Sequence, residues 1–506
     1  MYFCKLDFYI FSAMNTYILN TIPVLAAALM SVVAVRWAYF KILHIAKVKG
    51  LVDNPDARKL QKEPVPVMGG IAVFFGMAMG MLAGFTAGVL AGAEFNTLMM
   101  PVLASMVVML YIGAMDDIQG LTPRARFVIE IFTILGLIFA SGGCIDTFHG
   151  LWDIHDFTWW IAVPLTVFAG VGIINAVNMI DGVNGLSSTL CMLCCAFYGV
   201  VFMRAGDVSN AVLAFATAAA LLPFMIHNVF GQKSRMFIGD AGTMVMGLLM
   251  AWFTMCLLRS DSPIVFYDSA SNVNLIAFAL AVLSVPVFDT IRVMTMRIAH
   301  KKSPFHPDKT HLHHVFVNVG VSHFITTITE VLIMVVVMAV WMLSLSLGVP
   351  IDWQLYIVVA ASIVLVWGTY LIINYHAKHH TEFLHRLVAF SIRTHLGRTR
   401  WWKRFTAWLD RPEEKLVTRL EQVKEEGKAA PVFEEPIDPD NLKEQDRKKI
   451  LDFMKGRAEV MVYDILKHSG ANRMRVYPIL FEEEMKGRVR VIKTHEMGAP
   501  EIVTLV

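Results

Sequence analysis

Long apolar segments recur along the first three quarters of the chain, and short polar segments separate them. A bilayer core of ~30 Å requires roughly 20 apolar residues per helix. The pattern predicts about eleven membrane-spanning helices, near 17–44, 69–91, 98–115, 126–142, 158–177, 185–203, 208–228, 238–258, 274–294, 323–347 and 353–374. No small-residue cleavage pattern follows the first residues, so we expect an uncleaved first span. The predicted fold is an all-α polytopic membrane protein with a small cytoplasmic α+β appendage at its C-terminus.

The polar segments on the two sides of these spans differ in charge. If the N-terminus lies outside, the loops on the inner side carry most of the loop lysines and arginines. The outer loops are rich in aspartate, for example Asp146, Asp207 and Asp261. Cytoplasmic loops are enriched in basic residues, so the sequence predicts an N-out, C-in topology. The chain is 56% hydrophobic and 17% charged, and this composition excludes the class of ordinary soluble proteins. We also expect no nucleic-acid partner.

The chain is predicted to have three parts. Residues 1–375 form the transmembrane domain, 376–441 a basic juxtamembrane helix region and linker, and 442–506 a small cytoplasmic domain of unknown role. Trp and Arg alternate between 393 and 408, which suits either a helix lying on anionic headgroups or an ordinary linker helix. In the last part we expect a helix over 442–468 and a hairpin of two strands, Arg473–Phe481 and Gly487–His495.

Carboxylates stand at the ends of two predicted spans. Asp116 and Asp117 end the third span, where adjacent carboxylates repel each other and lose hydration. A divalent cation would relieve this repulsion, or one carboxylate would serve as a base; the alternative is a solvated helix end. Asp240 opens the eighth span between two glycines and either faces a cavity or caps the helix. Asn228 closes the preceding span.

A group of amides and a carboxylate closes the fifth predicted span. Asn175, Asn178 and Asp181 are three residues apart and therefore fall on one face of a helix, with Asn184 just beyond them. Two nearby glycines let the backbone approach a ligand. Hard-oxygen groups of this kind suit either a metal ion or sugar hydroxyls.

Basic residues and histidines lie in the first and the largest of the predicted cytoplasmic loops. In the first loop, Arg58 and Lys59 are placed either to hold phosphate oxygens or to act as positive-inside anchors. The largest loop contains Asp308, His311, His313 and His314. Adjacent histidines without a cysteine are poor joint zinc ligands, so these residues fit a pyrophosphate better. Taken together, the clusters favour phosphoryl transfer between a soluble nucleotide-activated donor and a lipid acceptor.

These clusters resemble, in order and on the predicted side, the polyprenyl-phosphate N-acetylhexosamine-1-phosphate transferase family. The motifs that carry the resemblance span about residues 45–320 and read D-x-P-x-x-R-K…G-G, D-D-x-x-x-L, N-A-x-N-x-x-D-G-x-x-G-L, F-x-G-D-x-G and S-P-F-x-x-D…H-x-H-H. The chain looks like the bacterial branch that moves GlcNAc-1-phosphate from UDP-GlcNAc to undecaprenyl phosphate. That branch releases UMP and initiates cell-surface polysaccharide assembly. The histidine pattern argues against the branch that acts on UDP-MurNAc-pentapeptide.

The resemblance implies a cofactor and roles for individual residues. It implies Mg²⁺, with Mn²⁺ as the alternative ion, contacted by Asp240 and Asn178. The implied catalytic residues are Asp116, Asp117, Asp181 and Asp240. The implied substrate-binding residues are Arg58, Lys59, Arg126, Asn175, Asn178, Asn184, Asn228, Asp308, His311, His313 and His314. Glu130 stands where glutamine is common in the family.

The implied setting is the cytoplasmic (inner) membrane, with the active face in the cytosol. The expected partners are undecaprenyl phosphate, a UDP-N-acetylhexosamine and the bilayer, with a homodimer by resemblance. From its position we expect the C-terminal domain to dock later glycosyltransferases. Two other functions are considered: a catalytically inactive scaffold and a proton-coupled transporter, although a transporter would hold its ionisable groups near the midplane. We expect single displacement rather than a covalent aspartyl intermediate.

Overall fold

The computed structural model describes residues 2–53, 64–92, 98–262, 273–304, 310–393, 401–412, 439–457, 459–471, 473–492 and 502–505. It divides into two compact units, Met1–Ala46 with Leu51–Glu425 and Lys47–Gly50 with Glu426–Val506. Each unit is described by itself. Both consist mainly of helices, as predicted.

The larger unit is a bundle of helices joined by short loops. Its first helices are α1 (Tyr2–Val48), α2 (Gly69–Leu90), α3 (Met99–Gln119), α4 (Pro123–Ser141), α5 (Trp159–Met179), α6 (Leu186–Arg204), α7 (Val208–Phe230) and α8 (Gly239–Leu257). They are followed by α9 (Leu275–Val282), α10 (Ser284–Ala299), α11 (Leu312–Asn318), α12 (His323–Ser346), α13 (Ile351–Ser362), a π-helical turn (Ile363–Trp367), α14 (Gly368–Lys378), α15 (Glu382–Arg393) and α16 (401–412). Two short strands, β1 (Val52–Asp53) and β2 (Val65–Pro66), pair antiparallel between α1 and α2.

Among the described residues, nine helices are long and apolar enough to cross a membrane, and the pair α9–α10 raises the number to ten if it counts as one span. The segment predicted as a span at 126–142 is the helix α4, but Arg124, Arg126 and Glu130 keep it out of this count. Its ends nevertheless lie near the two ends of α8. Arg126 interacts electrostatically with Asp240 in the first turn of α8, and Asp146, in the loop after α4, accepts from Ser260 in the loop after α8. With 19 residues, α4 is roughly 28 Å long.

A sharp bend divides the segment predicted as a straight span at 274–294. Helices α9 and α10 meet at an angle of 80°. Pro286, near the start of α10, has no N–H with which to bond the carbonyl of Val282 four residues before it. The thiol of Cys194 on α6 donates to that carbonyl instead, at 3.3 Å. The bend therefore follows from one proline, and a neighbouring helix satisfies the acceptor that it leaves.

Helix α8 lies at the centre of the bundle, and almost all of its residues are buried. Glycines bring its neighbours into backbone contact. A Cβ added at Gly70 of α2 would lie 2.3 Å from the amide nitrogen of Gly242, and one at Gly113 of α3 would lie 2.5 Å from Ala241 Cα. On α8 itself, a Cβ at Gly247 would lie 2.7 Å from Ile174 Cα on α5. The start of α8 is thus fixed against α2 and α3, and its middle against α5.

The substitution Gly113→Ala is expected to lower the midpoint of thermal unfolding by several degrees, because the added methyl meets the α8 backbone. Overpacking of this kind costs about 1–3 kcal/mol. The matched control is Gly136→Ala on α4, where nothing lies within 4 Å of the added Cβ. That variant should match or exceed the wild-type midpoint, since alanine is the better helix former. Equal midpoints for both variants, measured by fluorescence in detergent, would contradict the close packing of α3 on α8.

The smaller unit contains α17 (Pro439–Met454), α18 (Val462–His468) and α19 (Arg473–Met485), with strands β3 (Val460–Met461), β4 (Val489–Ile492) and β5 (Ile502–Leu505). The strands form one antiparallel sheet in the order β3-β5-β4. The apolar residues Ile450, Ile465, Val476, Ile479 and Val503 are buried in its core. An α+β arrangement was expected for this region and is confirmed, but the helix expected over 442–468 is divided into α17 and α18, with β3 between them.

The predicted hairpin in the smaller unit is wrong in its first arm. Residues 473–485 form the helix α19, and the partner of β4 is β5. The buried residues Val476, Ile479, Leu480 and Glu483 follow a spacing of three, one and three, which is the period of a helix face. The alternation of polar and apolar residues over 473–481 therefore predicted a strand wrongly. The helical period over the longer segment 473–485 determines which side chains are buried.

Candidate active site

The first turn of α8 brings Asp240 to the end of the bundle where α3 and α5 finish. Asn178, in the last turn of α5, donates from its side-chain nitrogen to Asp240 Oδ1 at 2.7 Å and to Thr243 Oγ1 at 2.8 Å. The side-chain oxygen of Asn178 is not used in these two bonds. Two residues that are 62 positions apart in the sequence, both predicted as metal contacts, thus meet directly.

Asp117, the last acidic residue of α3, holds the start of α8. Its two carboxylate oxygens accept hydrogen bonds from the backbone amides of Asp240 at 2.8 Å and Ala241 at 3.1 Å. Because the first amides of a helix have no partner within the helix, a carboxylate placed here satisfies two of them. Asp117 therefore fixes the backbone that carries Asp240.

The neighbouring Asp116 turns toward the loop between α3 and α4. Its Oδ1 accepts from the Leu121 amide at 2.6 Å, and its Oδ2 accepts from Arg126 at 3.1 Å. Asp116 and Arg126 both interact electrostatically with Asp240. Arg126 also lies 3.8 Å from the buried Glu130. A positive charge therefore lies next to two of the predicted catalytic carboxylates.

Asp181 lies in the turn between α5 and α6 and accepts from the hydroxyl of Ser187 at 2.8 Å. Burial raises the pKa of Asp181 to about 6, and the charge of Asp240 adds to this effect, while Ser187 opposes it. The negative charge of Asp53, in β1, also repels that of Asp181. The charges of Asp181 and Asp240 both repel the charge of Asp117. The carboxylates predicted from four separate motifs thus form one acidic cluster.

The end of the first predicted loop joins this cluster through its backbone. The amides of Gly69 and Gly70 donate to the carbonyls of Phe237 and Ile238 at 2.9 and 2.7 Å, and the Phe237 amide donates to Pro66 at 2.8 Å. The glycine pair of the first motif therefore lies directly against the F-x-G-D motif. Arg58 and Lys59, which precede this segment, lie outside the described residues.

Three asparagines that were predicted to bind substrate bond to other parts of the protein. Asn175 donates to Glu130 at 2.5 Å and to the Val171 carbonyl at 2.9 Å. Asn228 accepts from the Gly185 amide at 2.6 Å and donates to the Met236 carbonyl at 2.8 Å. The oxygen and the nitrogen of its side chain therefore both bond to backbone groups. The backbone of Asn184 bonds to His323 and Thr327 of α12. Asn228 is therefore placed to support the loops of the site, whereas Asn175 joins α5 to α4.

The histidines form a stack at the start of α11. The ring centroids of His311 and His313 are 5.9 Å apart, and those of His313 and His314 are 4.4 Å apart. His313 is fully buried, and within the described residues neither of its ring nitrogens has a hydrogen-bond partner. A Cβ added at Gly182 would lie 3.5 Å from its Nε2, so the ring faces the turn that carries Asp181.

Burial lowers the pKa of His313 well below the ordinary value for histidine, and the neighbouring imidazoles of His314 and His311 act in the same direction. His313 is therefore neutral at physiological pH, with one ring nitrogen as donor and the other as acceptor. It can hydrogen-bond a ligand but does not supply a positive charge to a phosphate.

A buried ionic group holds the histidine stack in place. Asp289 of α10 accepts hydrogen bonds from His311 at 2.8 Å and from Arg292 at 2.6 Å. It also accepts one from the backbone amide of Leu312. Arg292 reaches the carbonyl of Thr310 at 2.6 Å and lies over the ring of Tyr370. The pairing of Asp289 with Arg292 compensates two charges that would be costly to bury alone. Asp308, in the preceding segment, lies outside the described residues.

Within the described ranges, no group of three or more His, Cys, Asp or Glu side chains is arranged to hold a metal ion. Sequence reasoning also missed several supporting residues. Ser187 bonds to Asp181 six residues before it, whereas the contacts of Thr243, Ser234 and Asp410 join distant segments. The partnership of Glu130 with Asn175 was missed as well, because it joins α4 to α5 across 45 residues.

The chain is similar to known proteins over the helices that carry most of this site. The profile described as glycosyl transferase family 4 matches residues 99–258, which run from α3 to the end of α8. A Bacillus subtilis (strain 168) protein named "Probable undecaprenyl-phosphate N-acetylglucosaminyl 1-phosphate transferase" is 29% identical over 313 residues, or 62% of this chain and 82% of the relative. An Escherichia coli (strain K12) protein, "Undecaprenyl-phosphate alpha-N-acetylglucosaminyl 1-phosphate transferase", is 30% identical over 286 residues, or 54% of this chain and 71% of the relative.

The apolar helical bundle and the acidic cluster at one of its ends define a multi-pass membrane protein. Together with these relatives, they show that the chain belongs to the polyprenyl-phosphate N-acetylhexosamine-1-phosphate transferase family. The expected family is thereby confirmed. Residues 376–506 lie beyond the span of the motifs that first suggested it.

Proposed function

We propose that this protein transfers N-acetylglucosamine-1-phosphate, or a related N-acetylhexosamine-1-phosphate, from a UDP-sugar to undecaprenyl phosphate and releases UMP. The names of the relatives support the acceptor and the transferred group. The observation that carries the proposal is the meeting of three motifs at the start of α8, where Asp117 holds the backbone amides and Asn178 holds the Asp240 side chain. A soluble donor and a lipid acceptor can both reach such a site at the end of a helical bundle.

We propose Mg²⁺, or Mn²⁺ in its place, as the cofactor, with Asp240 and Asn178 as the protein contacts. The residues fit the ion because they are hard-oxygen donors and because the repulsion among Asp117, Asp181 and Asp240 calls for a cation. Mg²⁺ usually takes only one or two carboxylates and completes its shell with water and substrate phosphates, so a group of three protein ligands is not required. When bound, the ion neutralises charge that develops on the phosphates.

In the proposed reaction, an oxygen of the lipid phosphate attacks the β-phosphorus of the UDP-sugar. The bond from that phosphorus to the bridging oxygen breaks, and UMP leaves with this oxygen and the electron pair. Asp181, with its pKa raised to about 6, is suited to take a proton from the acceptor phosphate near neutral pH. We assign Arg126, which pairs with Asp116, and the neutral ring of His313 to orienting phosphate or sugar oxygens. We favour single displacement, because Asp117 is already bonded to two amides.

The proposed setting follows from the charge asymmetry of the loops. We place the acidic cluster on the cytosolic face of the cytoplasmic membrane, where UDP-sugars are made, and assign the product to the first step of a cell-surface polysaccharide. A homodimer and the docking of later glycosyltransferases on residues 442–506 remain predictions. An inactive scaffold is the alternative that the same architecture allows.

The test is UMP release by the purified full-length protein in lipid nanodiscs, with undecaprenyl phosphate, Mg²⁺ and a panel of UDP-sugars. We expect release that needs the lipid, stops when the divalent ion is chelated and returns when Mg²⁺ is restored. A burst of one UMP per protein without lipid would instead indicate a covalent intermediate. If a folded protein released no UMP from any donor, the enzyme proposal would be wrong and the scaffold would take its place.

A further inference from the structure

Helix α16 lies after the last membrane helix, yet it is bonded to the loop that leads into the acidic cluster. Asp410 of α16 is buried, and its carboxylate accepts hydrogen bonds from three consecutive backbone amides: Gln232 at 3.3 Å, Lys233 at 3.2 Å and Ser234 at 3.0 Å. The hydroxyl of Ser234 adds a fourth bond at 2.6 Å. These residues belong to the loop between α7 and α8, which has no regular secondary structure of its own.

Aromatic contacts fix α16 at the same place. The ring of Phe230, the last residue of α7, packs edge-to-face with the ring of Trp402, and their centroids are 5.1 Å apart. The centroid of the Phe405 ring lies 6.1 Å from that of Phe230. Arg36 of α1 lies over the ring of Trp408 at 5.6 Å. Helix α16 is therefore attached to both α1 and α7 by aromatic side chains that precede Asp410.

The bonded loop continues directly into the candidate site. Ser234 also bonds to His227 of α7 at 3.1 Å, and its carbonyl accepts from the hydroxyl of Tyr39 at 2.7 Å. Two residues further on, the Met236 carbonyl accepts from Asn228, which holds the Gly185 amide with its other end. The chain then passes through Phe237 and Ile238, which bond to the glycine pair of α2, and reaches Asp240.

The carboxylate of Asp410 depends on these bonds. A buried carboxylate without hydrogen-bond partners is costly, and the three amides and the hydroxyl of the loop supply its partners. Without Asp410, three adjacent amides and a hydroxyl of the loop would lose their acceptor, and buried polar groups are normally paired. The carboxylate therefore serves the loop rather than its own helix.

We propose that Asp410 is a positioning residue for the transfer reaction: by bonding the loop between α7 and α8, it sets the position of the Asp240 end of α8. Helix α16, outside the family motifs, then becomes part of the catalytic unit. The kinetic part of this inference rests on the proposed function, whereas its structural part does not. The competing view is that α16 only docks on the loop and leaves the site unchanged.

The experiment uses the full-length protein in nanodiscs and compares Asp410→Asn, Asp410→Glu and the control Glu382→Gln. Asparagine keeps the shape of Asp410 but offers one acceptor oxygen in place of two. Glu382 lies on α15 and forms a single exposed ion pair with Arg386, so it tests charge loss in the same extension. Hydrogen exchange is followed separately over 232–234 and over 237–241, and kcat and KM for UMP release are measured in parallel.

For Asp410→Asn we expect at least about tenfold faster exchange over both segments. We also expect kcat to fall about 5- to 20-fold with KM for the donor changed less than about twofold. Asp410→Glu should recover part of both effects, and Glu382→Gln should behave as wild type. Faster exchange confined to 232–234, with exchange over 237–241 and kcat unchanged, would overturn the proposal. If the wild type releases no UMP, the proposed function fails, and exchange over 237–241 alone decides the inference.

Discussion

Asp240→Asn is expected to lower the rate of UMP release about 1,000-fold or more while the protein stays folded. The side chain keeps its shape, but it loses the negative charge that is proposed to hold the divalent ion beside the reacting phosphates. Loss of one preorganised electrostatic group commonly costs about 100- to 1,000-fold, and here the cofactor contact is lost with it. The measurement is UMP release at saturating donor and lipid, with melting temperature as the check on folding.

A matched control exists at another helix start. Asp207 caps α7 at the opposite end of the bundle and accepts from the Asn210 amide at 3.0 Å. Asparagine caps helices as well as aspartate does, so Asp207→Asn should leave the rate within about twofold. If Asp240→Asn kept more than a tenth of the wild-type rate, Asp240 would be a helix cap like Asp207, and the metal assignment would fail.

Asp117→Asn is expected to lower the rate about 10- to 100-fold. The asparagine side chain offers one oxygen where the carboxylate offered two, so one α8 amide would face an NH₂ group. An amide without an acceptor costs about 1–3 kcal/mol. We expect this cost to appear as an equal rise in the activation free energy, which corresponds to the stated fall in rate. Because the Asp240 backbone would shift, we also expect half-maximal activity to need a higher Mg²⁺ concentration.

The control for Asp117 is a second carboxylate that joins distant loops. Asp146 accepts from the amide of Ser260 at 2.7 Å and from its hydroxyl at 2.9 Å, at the far ends of α4 and α8. Asp146→Asn should reduce stability with little effect on rate. A fall in rate for Asp117→Asn that no Mg²⁺ concentration relieves would indicate instead that the Asp117 carboxylate takes part in proton transfer.

The sequence predicted much of the site because its polar residues stand in an apolar chain. A carboxylate at the end of a span is easily recognised in such a chain. The spacing of Asn175, Asn178 and Asp181 predicted one shared helix face, but Asp181 lies in the turn after α5 and Asn175 bonds to Glu130. The structure brings the predicted Asp117, Asp181 and Asp240 together. Helix positions were predictable for the same reason, since each span needs a minimum apolar length.

The sequence could not predict which atoms each side chain uses. Asp116 and Asp117 are adjacent and identical in type, yet one bonds the α3–α4 loop and the other caps α8, 123 residues further along the chain. The choice depends on the rotation of α3, which no local pattern encodes. The bend between α9 and α10 was missed because an internal proline does not always divide a span: Pro164 lies inside α5 and Pro223 inside α7, and both helices are continuous. Asp410 was missed because its partners are more than 170 residues away.

The way Asp117 bonds to α8 has a consequence for how the donor is held. The positive end of a helix dipole is a common binding site for phosphate, because its free amides point at the anion. At α8 this end is already occupied by a carboxylate of the protein itself. In the proposed reaction, a donor pyrophosphate would therefore gain little from α8, and its charge would be compensated by the proposed cation and by basic side chains such as Arg126. We accordingly expect binding of the donor to depend on the metal ion and on ionic strength, because separate charges rather than backbone amides would hold it.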